Sequence, residues 1–326
     1  MTMLDFPREL KGVEFSLALF QLEFQETCQV SWESLLRLRR GLRQAAVHVL
    51  IEGEVSATTG RERFAALFDP PLPEDPVALR RYQKPAPPFV ILPERGLAAG
   101  YEAGDVLELP VVFWGRGIHC LADFARTLQV LGSSGLHQGE GLFELAGIEA
   151  VDSAGQHRTV WQEGAALDRL APPLCDACWW MGTAAASGPT LKLEFATPAR
   201  LLSRGKPLFR ISFAHMFPFI LRRVTSMVYA HCGVEVVTDP HPLLAASRQV
   251  VVSDNQLVWE DWRSLEGDGG RQDLGGIGGS VTLGGDALAQ ICWVLNLGSL
   301  LNLGKGATFG AGHYGLRKVA SVGSYA

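Results

Sequence analysis

The chain has 326 residues, 47% hydrophobic and 19% charged, with 29 basic and 34 acidic side chains for a net charge of −5. That length and apolar content allow two domains with full cores and argue against a disordered chain, while the acidic balance counts against a general polyanion binder. No apolar run reaches the roughly 18 to 20 residues of a membrane span, and Met1 to Leu10 lacks the basic region and apolar core of a signal peptide, so a cytoplasmic protein is expected.

In chain order, Val13 to Glu26 alternates polar and apolar residues as a strand with one buried face does. Ser31 is a helix N-cap, and Leu35, Leu38, Leu42, Ala46 and Val49 predict the core face of a helix running to about Ile51. Residues 53–100 read as a Pro-rich excursion, with a loop over 52–63, leading into strand Phe89–Leu92. Asp105 to Trp114 reads as a strand, Leu121 to Leu131 as a helix, and residues 141–151 and 157–161 as a hairpin about Asp152 to Gly155. The pattern breaks down between Gly164 and Pro189. Cys175-Asp-Ala-Cys178 is the one close cysteine pair there, and without a second pair at zinc spacing it reads as ordinary thiols. Leu191 to Phe195 restarts as an alternating strand. A helix from about Met216 to Ala230 with Pro218 in its first turn, strands 249–259 and 278–283, a helix over 286–302 and a strand over 313–321 follow. Each half thus repeats β-α-β-β-α-β, which accommodates a ferredoxin-like sheet. The predicted organisation is α+β, with two tandem ferredoxin-like (RRM-like) domains at 1–185 and 186–326.

The stretch around which the second half is organised is Gly304-Lys-Gly-Ala-Thr-Phe-Gly-Ala-Gly312-His. Asp286 is placed to cap the preceding helix and Gly304 to end it in the left-handed region. Glycines around Lys305, Thr308 and Phe309 leave backbone N–H groups uncovered, so the loop can approach phosphates closely or be a tight turn without ligand. It is not a nucleotide-binding P-loop. Five residues separate Gly298 from Gly304 where the motif has four, Gly306 follows the lysine, and the helix precedes the loop. A nucleotide-dependent enzyme is therefore disfavoured.

Leu301-Asn-Leu-Gly-Lys-Gly-Ala-Thr-Phe-Gly-Ala-Gly-His-Tyr314 resembles the C-terminal signature of the CRISPR precursor-RNA-processing endoribonucleases of the repeat-associated (RAMP) superfamily. The likeness extends to Phe213–Arg223, Tyr229–Gly233, Trp259–Trp262, Arg271-Gln272 and Gly275–Gly279, covering most of 188–326 and the first half loosely. It implies tandem ferredoxin-like domains and CRISPR repeat RNA or crRNA as partner, with other effector-complex subunits beside it. It also implies cleavage without metal or cofactor by attack of a ribose 2′-hydroxyl on the adjacent phosphate. No carboxylate cluster or Cys/His set makes a two-metal site.

The family's histidine at the first helix, helped by tyrosine or lysine, is not matched here. Arg40 stands before the helix glycine, and the helix's one histidine is His48, without a tyrosine. Two readings stay open. His48 can be the acid or base with Arg40 and Arg43 stabilising the phosphorane, or the site is arginine-dominated and His48 packs in the core. Candidate RNA contacts are Arg39, Arg222, Arg223, Gly304, Lys305, Gly306, Thr308, Phe309, Gly310 and His313. His215 reads as a core residue, and His231 as packing or touching RNA. The clusters Arg37–Arg43, Arg80/Arg81/Lys84, Arg222/Arg223 and Arg317/Lys318 can line a groove or be solvated faces. The alternative function is a catalytically silent RNA-binding subunit of a CRISPR effector.

Overall fold

The computed structural model of the chain describes residues 6–53, 56–71, 85–94, 96–136, 139–183, 186–261 and 275–319. The first half contains β1 (Glu14–Phe24), α1 (Trp32–Ala46), α2 (Ala57–Phe68), β2 (Phe89–Ile91), β3 (Val106–Trp114), α3 (Leu121–Gly132), β4 (Phe143–Val151) and β5 (His157–Gln162). The second contains β6 (Thr190–Phe195), α4 (Phe213–Cys232), α5 (His241–Gln249), β7 (Val251–Asn255), β8 (Ser280–Gly284), α6 (Leu288–Ser299) and β9 (Tyr314–Lys318).

The first sheet runs β2-β3-β1-β4-β5 and the second β7-β8-β6-β9, every pair antiparallel. In each, the first four strands lie in the order second, third, first, fourth, with helical crossovers after the first and third strands. The fold is α+β and consists of tandem ferredoxin-like units.

The period-2 alternation of β1 explains how two cores share it. Ala18, Phe20, Leu22 and Phe24 face Leu35, Leu38 and Leu42 of α1 and Phe124 and Leu128 of α3. Phe15, with Trp114, Val90 and Val112, joins the other core, whose bulk comes from α4, α6 and the second sheet. In return, Phe309 of the glycine loop enters the first core. The two sheets are therefore joined by interleaved packing rather than by a linker alone.

Helix α1 is capped as the sequence predicts. Ser31 Oγ accepts from Ser34 N at 3.1 Å, and Ser34 Oγ in turn accepts from Ser31 N at 2.9 Å. Beyond Ala46 the chain continues to Glu52 as a π-helix. Other expectations are corrected. Residues 57–68 are helical, not loop. Strand 249–259 is the end of α5 followed by two strands, Val251–Asn255 and Val258–Glu260. Helix α4 starts three residues early, so Pro218 lies in its second turn, on the exposed side. Asp286 makes no cap to α6, and Gly304 lies beyond that helix, whose C-cap is Leu300. His215 is exposed, its Nδ1 2.9 Å from Ser212 Oγ, because it points off the helix face buried by Met216 and Phe217. Arg80, Arg81, Lys84, His137, Trp262 and Arg271-Gln272 lie outside the described residues. Among the described residues no helix is long and apolar enough to cross a membrane.

Candidate nucleic-acid interface

After α6 the chain reverses through five left-handed residues: Asn302, Gly304, Gly306, Gly310 and Gly312. Backbone approach explains two of the glycines. A Cβ on Gly304 would stand 2.5 Å from Arg200 O, and one on Gly312 would stand 1.9 Å from Leu303 O. Asparagine is the residue other than glycine that most readily takes this conformation. Here Asn302 Nδ2 donates to Ile91 O at 2.8 Å and Ala307 O at 2.9 Å. That fixes its Oδ1 as the acceptor for His313 Nδ1 at 2.9 Å. Thr197 Oγ1 donates to Gly310 O at 2.6 Å and accepts from His313 N at 2.9 Å. His313 is thus held on the inner side of the loop, and burial lowers its pKa to about 4, keeping it neutral.

Over this loop lies an open cleft of about 170 Å³ lined by Arg39, Ala86, Arg223 and Gly304, Gly306, Ala307, Thr308 and Phe309. Its two cations come from different halves. Arg39, exposed on α1, has its guanidinium 5.7 Å from the centre of the Phe309 ring. Arg223, from α4, donates from Nε to Leu301 O at 3.1 Å and from a terminal nitrogen towards Thr308 Oγ1 at 3.5 Å. Both partners are neutral, and no carboxylate among the described residues pairs with Arg223. Burial lowers its pKa to about 10, which leaves it charged at neutral pH. A half-buried cation with no carboxylate partner among the described residues thus lies at the glycine loop.

A family model described as CRISPR-associated endoribonuclease Cas6 matches residues 193–314, which contain β6, α4, Arg223 and the whole loop. That match makes the C-terminal part of the chain similar to the Cas6 endoribonucleases. A second model, described only as an N-terminal domain, matches residues 50–173. Among solved structures, a Cas6 product complex is 14% identical with a TM-score of 0.50, covering 94% of this chain and 100% of that one. A partial Cas6-RT-Cas1–Cas2 complex is 13% identical with a TM-score of 0.55, covering 98% of this chain and 48% of that one. At these identities the likeness is one of fold. No curated protein matches the chain in sequence.

The Cas6-type loop gathers Arg39, Arg223, Gly304, Gly306, Thr308 and Phe309 in one cleft; Gly310 and His313 lie behind it, and Lys305 is exposed beside it. Arg222 is exposed next to Arg223 on α4. Arg40, Arg43 and His48 are not part of the cleft lining. Arg40 is exposed on α1. Arg43 is tied to Asp69 at 2.6 Å, and its guanidinium lies 5.1 and 5.5 Å from the centres of the Phe64 and Phe68 rings, clamping α2 to α1. His48 lies on the π-helical segment, its side chain 70% exposed, with Nδ1 2.9 Å from Glu52 Oε2. A carboxylate only accepts, so Nδ1 carries the proton and Nε2 is left as a base. Helix α2 packs closely against this segment. Gly60 of α2 sits so close that a Cβ there would be 2.1 Å from Leu50 O.

Asn302 and Thr197, which fasten the loop, carry no role in the sequence reading. A lone asparagine just before a glycine run is the available signal. His231 packs at the junction of the halves, Nε2 donating to Ala86 O at 2.9 Å. Burial first, then Arg223, lowers its pKa to about 4. The folded state therefore binds fewer protons than the unfolded one. His231's contribution to stability is complete above about pH 6.5 and lost as pH falls towards 4. With His231 only 5% exposed, stability at pH 5 is expected to fall by about 2 kcal/mol on its account. Denaturant unfolding at pH 7 and pH 5 checks this, with His231→Gln losing less between the two.

Proposed function

We propose that this chain is a CRISPR repeat-RNA endoribonuclease that binds and cuts the repeats of precursor crRNA, with 1–185 and 186–326 as its two halves. Repeat RNA is its substrate. Other CRISPR subunits are its protein partners, by analogy with the partial Cas6-RT-Cas1–Cas2 complex, in which 48% of one chain shares this fold. The observation that carries the reading is Arg223. Arg223 is half-buried with no carboxylate partner among the described residues, and a phosphate in the cleft supplies the missing anion. Arg39 faces the same space, and Arg222 and Lys305 flank it.

On this reading His48 Nε2 takes the proton of a ribose 2′-hydroxyl. The O2′–P bond forms as the P–O5′ bond breaks, leaving a 2′,3′-cyclic phosphate and a 5′-oxygen that gains a proton from solvent. Glu52 holds the imidazole tautomer, and Arg40 stabilises charge on the phosphorane. His48 lies nine residues beyond Arg39, roughly 13 Å along the helix and about half a turn around it, so RNA that meets both must cross the helix.

Two measurements test the proposal. Cleavage of repeat RNA is expected to proceed in EDTA and yield cyclic-phosphate ends. Activity lost in EDTA and restored by magnesium rejects the mechanism, and binding without cleavage makes the chain a silent RNA-binding subunit. Arg223→Met is expected to weaken repeat-RNA binding by roughly 10- to 150-fold, the worth of a charge-assisted hydrogen bond. Its melting temperature should hold or rise, because removing an unpaired half-buried cation offsets the two lost donations. A variant that binds normally but melts early would make Arg223 a structural residue.

A further inference from the structure

One motif, Gly275-Gly-Ile-Gly-Gly279, takes no part in the cleft, yet it builds a small platform at the cleft's edge. Ile277 and Ala199 exchange backbone hydrogen bonds of 2.8 Å, and Ile277 lies opposite Trp259 in the ladder of Val258–Glu260 with Gly276–Gly278. A Cβ on Gly276 would stand 2.6 Å from Ala199 C, and one on Gly275 would stand 3.1 Å from Trp259 Cζ2, so the glycines let this hairpin lie flat on the chain. The carbonyl of Arg200, the next residue, accepts from Lys305 N at 2.9 Å and so joins the hairpin to the glycine loop. Phe209 packs tilted at 58° against the half-buried Trp259 with ring centres 4.6 Å apart, and Arg200 lies 6.0 Å from the same indole.

Phe209 is 59% exposed, unusual for so large an apolar ring. It belongs to Arg200-Leu-Leu-Ser-Arg-Gly-Lys-Pro-Leu-Phe-Arg210, which has four cations and no acid in a chain of net charge −5. Arg204, Lys206 and Arg210 are exposed, while Glu260 and Asp261 stand on the facing hairpin. Aromatic faces set among cations hold single-stranded nucleic acid through base stacking and phosphate contact.

We propose that Phe209 and Trp259 stack an unpaired base of the RNA leaving the glycine-loop cleft, with Arg204, Lys206 and Arg210 on its phosphates. This rests on the RNA reading above and adds a second, base-reading contact to it.

The test couples protein and RNA changes. Unpaired nucleotides of a repeat RNA are made abasic one at a time, and affinity is measured for the wild-type protein, Phe209→Ala, Phe209→Tyr and Arg223→Met. One abasic position is expected to weaken wild-type binding about tenfold, and Phe209→Ala to weaken binding of intact RNA by a similar factor. The two losses are not expected to add, and Phe209→Tyr should restore affinity. The exposure of Phe209 means its alanine variant should melt as wild type does. If Arg223→Met loses affinity while Phe209→Ala keeps it, or if the abasic and Phe209→Ala losses add, RNA binding stands, the platform is overturned and the aromatic pair becomes a protein-docking surface. If the wild-type protein binds no repeat RNA, both proposals fall.

Discussion

Replacing His48 by alanine is expected to slow cleavage of repeat RNA by about 10²- to 10⁴-fold while leaving RNA affinity unchanged. The expectation follows from position and tautomer. The ring is exposed, so its loss opens no cavity, and Glu52 pins the Nδ1 proton so that Nε2 remains a base. Glu52→Gln keeps an acceptor oxygen but removes the charge, and should cost less than His48→Ala. Arg40→Lys tests the charge-stabilising partner. Lysine keeps the cation but not the forked donor set, so binding should be near normal and cleavage slower by on the order of a hundredfold. Single-turnover rates at saturating protein separate these effects from binding. A His48→Ala protein that cuts at the wild-type rate would remove this end of the helix from the chemistry.

What local pattern can carry is legible in the sequence, and what distant contacts decide is not. The cap at Ser31, the alternation in β1 and β6 and the β-α-β-β-α-β order of each half follow from side-chain periodicity and turn residues, and they suffice for the fold. Helix α2 escapes such a reading because its start, Ser56 to Gly60, has no side-chain cap bond and includes two threonines and a glycine. Its glycine is there for Leu50 O, in another element. Helix α5 escapes it for a related reason: it is short and has a proline in its first turn. At the interface, the glycine run announces a loop that backbone or ligand can approach. Which side chains face outward depends on partners far along the chain. Arg43 is fixed by Asp69, 26 residues away, and His313 by an asparagine whose left-handed backbone only the folded loop requires. The solitary state of Arg223 is likewise a property of three-dimensional neighbours, although the Arg222-Arg223 pair itself is visible in the sequence.

Phe309→Ala is expected to destabilise the protein by about 3–5 kcal/mol, the cost of deleting a phenyl ring from a packed core. The sequence reading places Phe309 among the RNA contacts, since an aromatic in a glycine loop suits a base. In the folded chain its ring is 6% exposed, inserted into the core of the first half and set edge-on to Phe89 at 5.7 Å between ring centres. The ring comes from one half and its neighbours Phe89 and Arg39 from the other, so its removal opens a cavity at the joint and takes away the surface on which the Arg39 guanidinium rests. Stability and binding should therefore fall together. Phe309→Leu fills most of the volume and should recover most of the stability, but it lacks the π face, so Arg39 should remain less well placed and affinity only partly restored. Denaturant unfolding beside repeat-RNA titration distinguishes this from a direct RNA contact. A Phe309→Ala protein as stable as wild type but unable to bind RNA would mean that the ring leaves the core to meet a base, and that the joint between the halves opens when RNA enters.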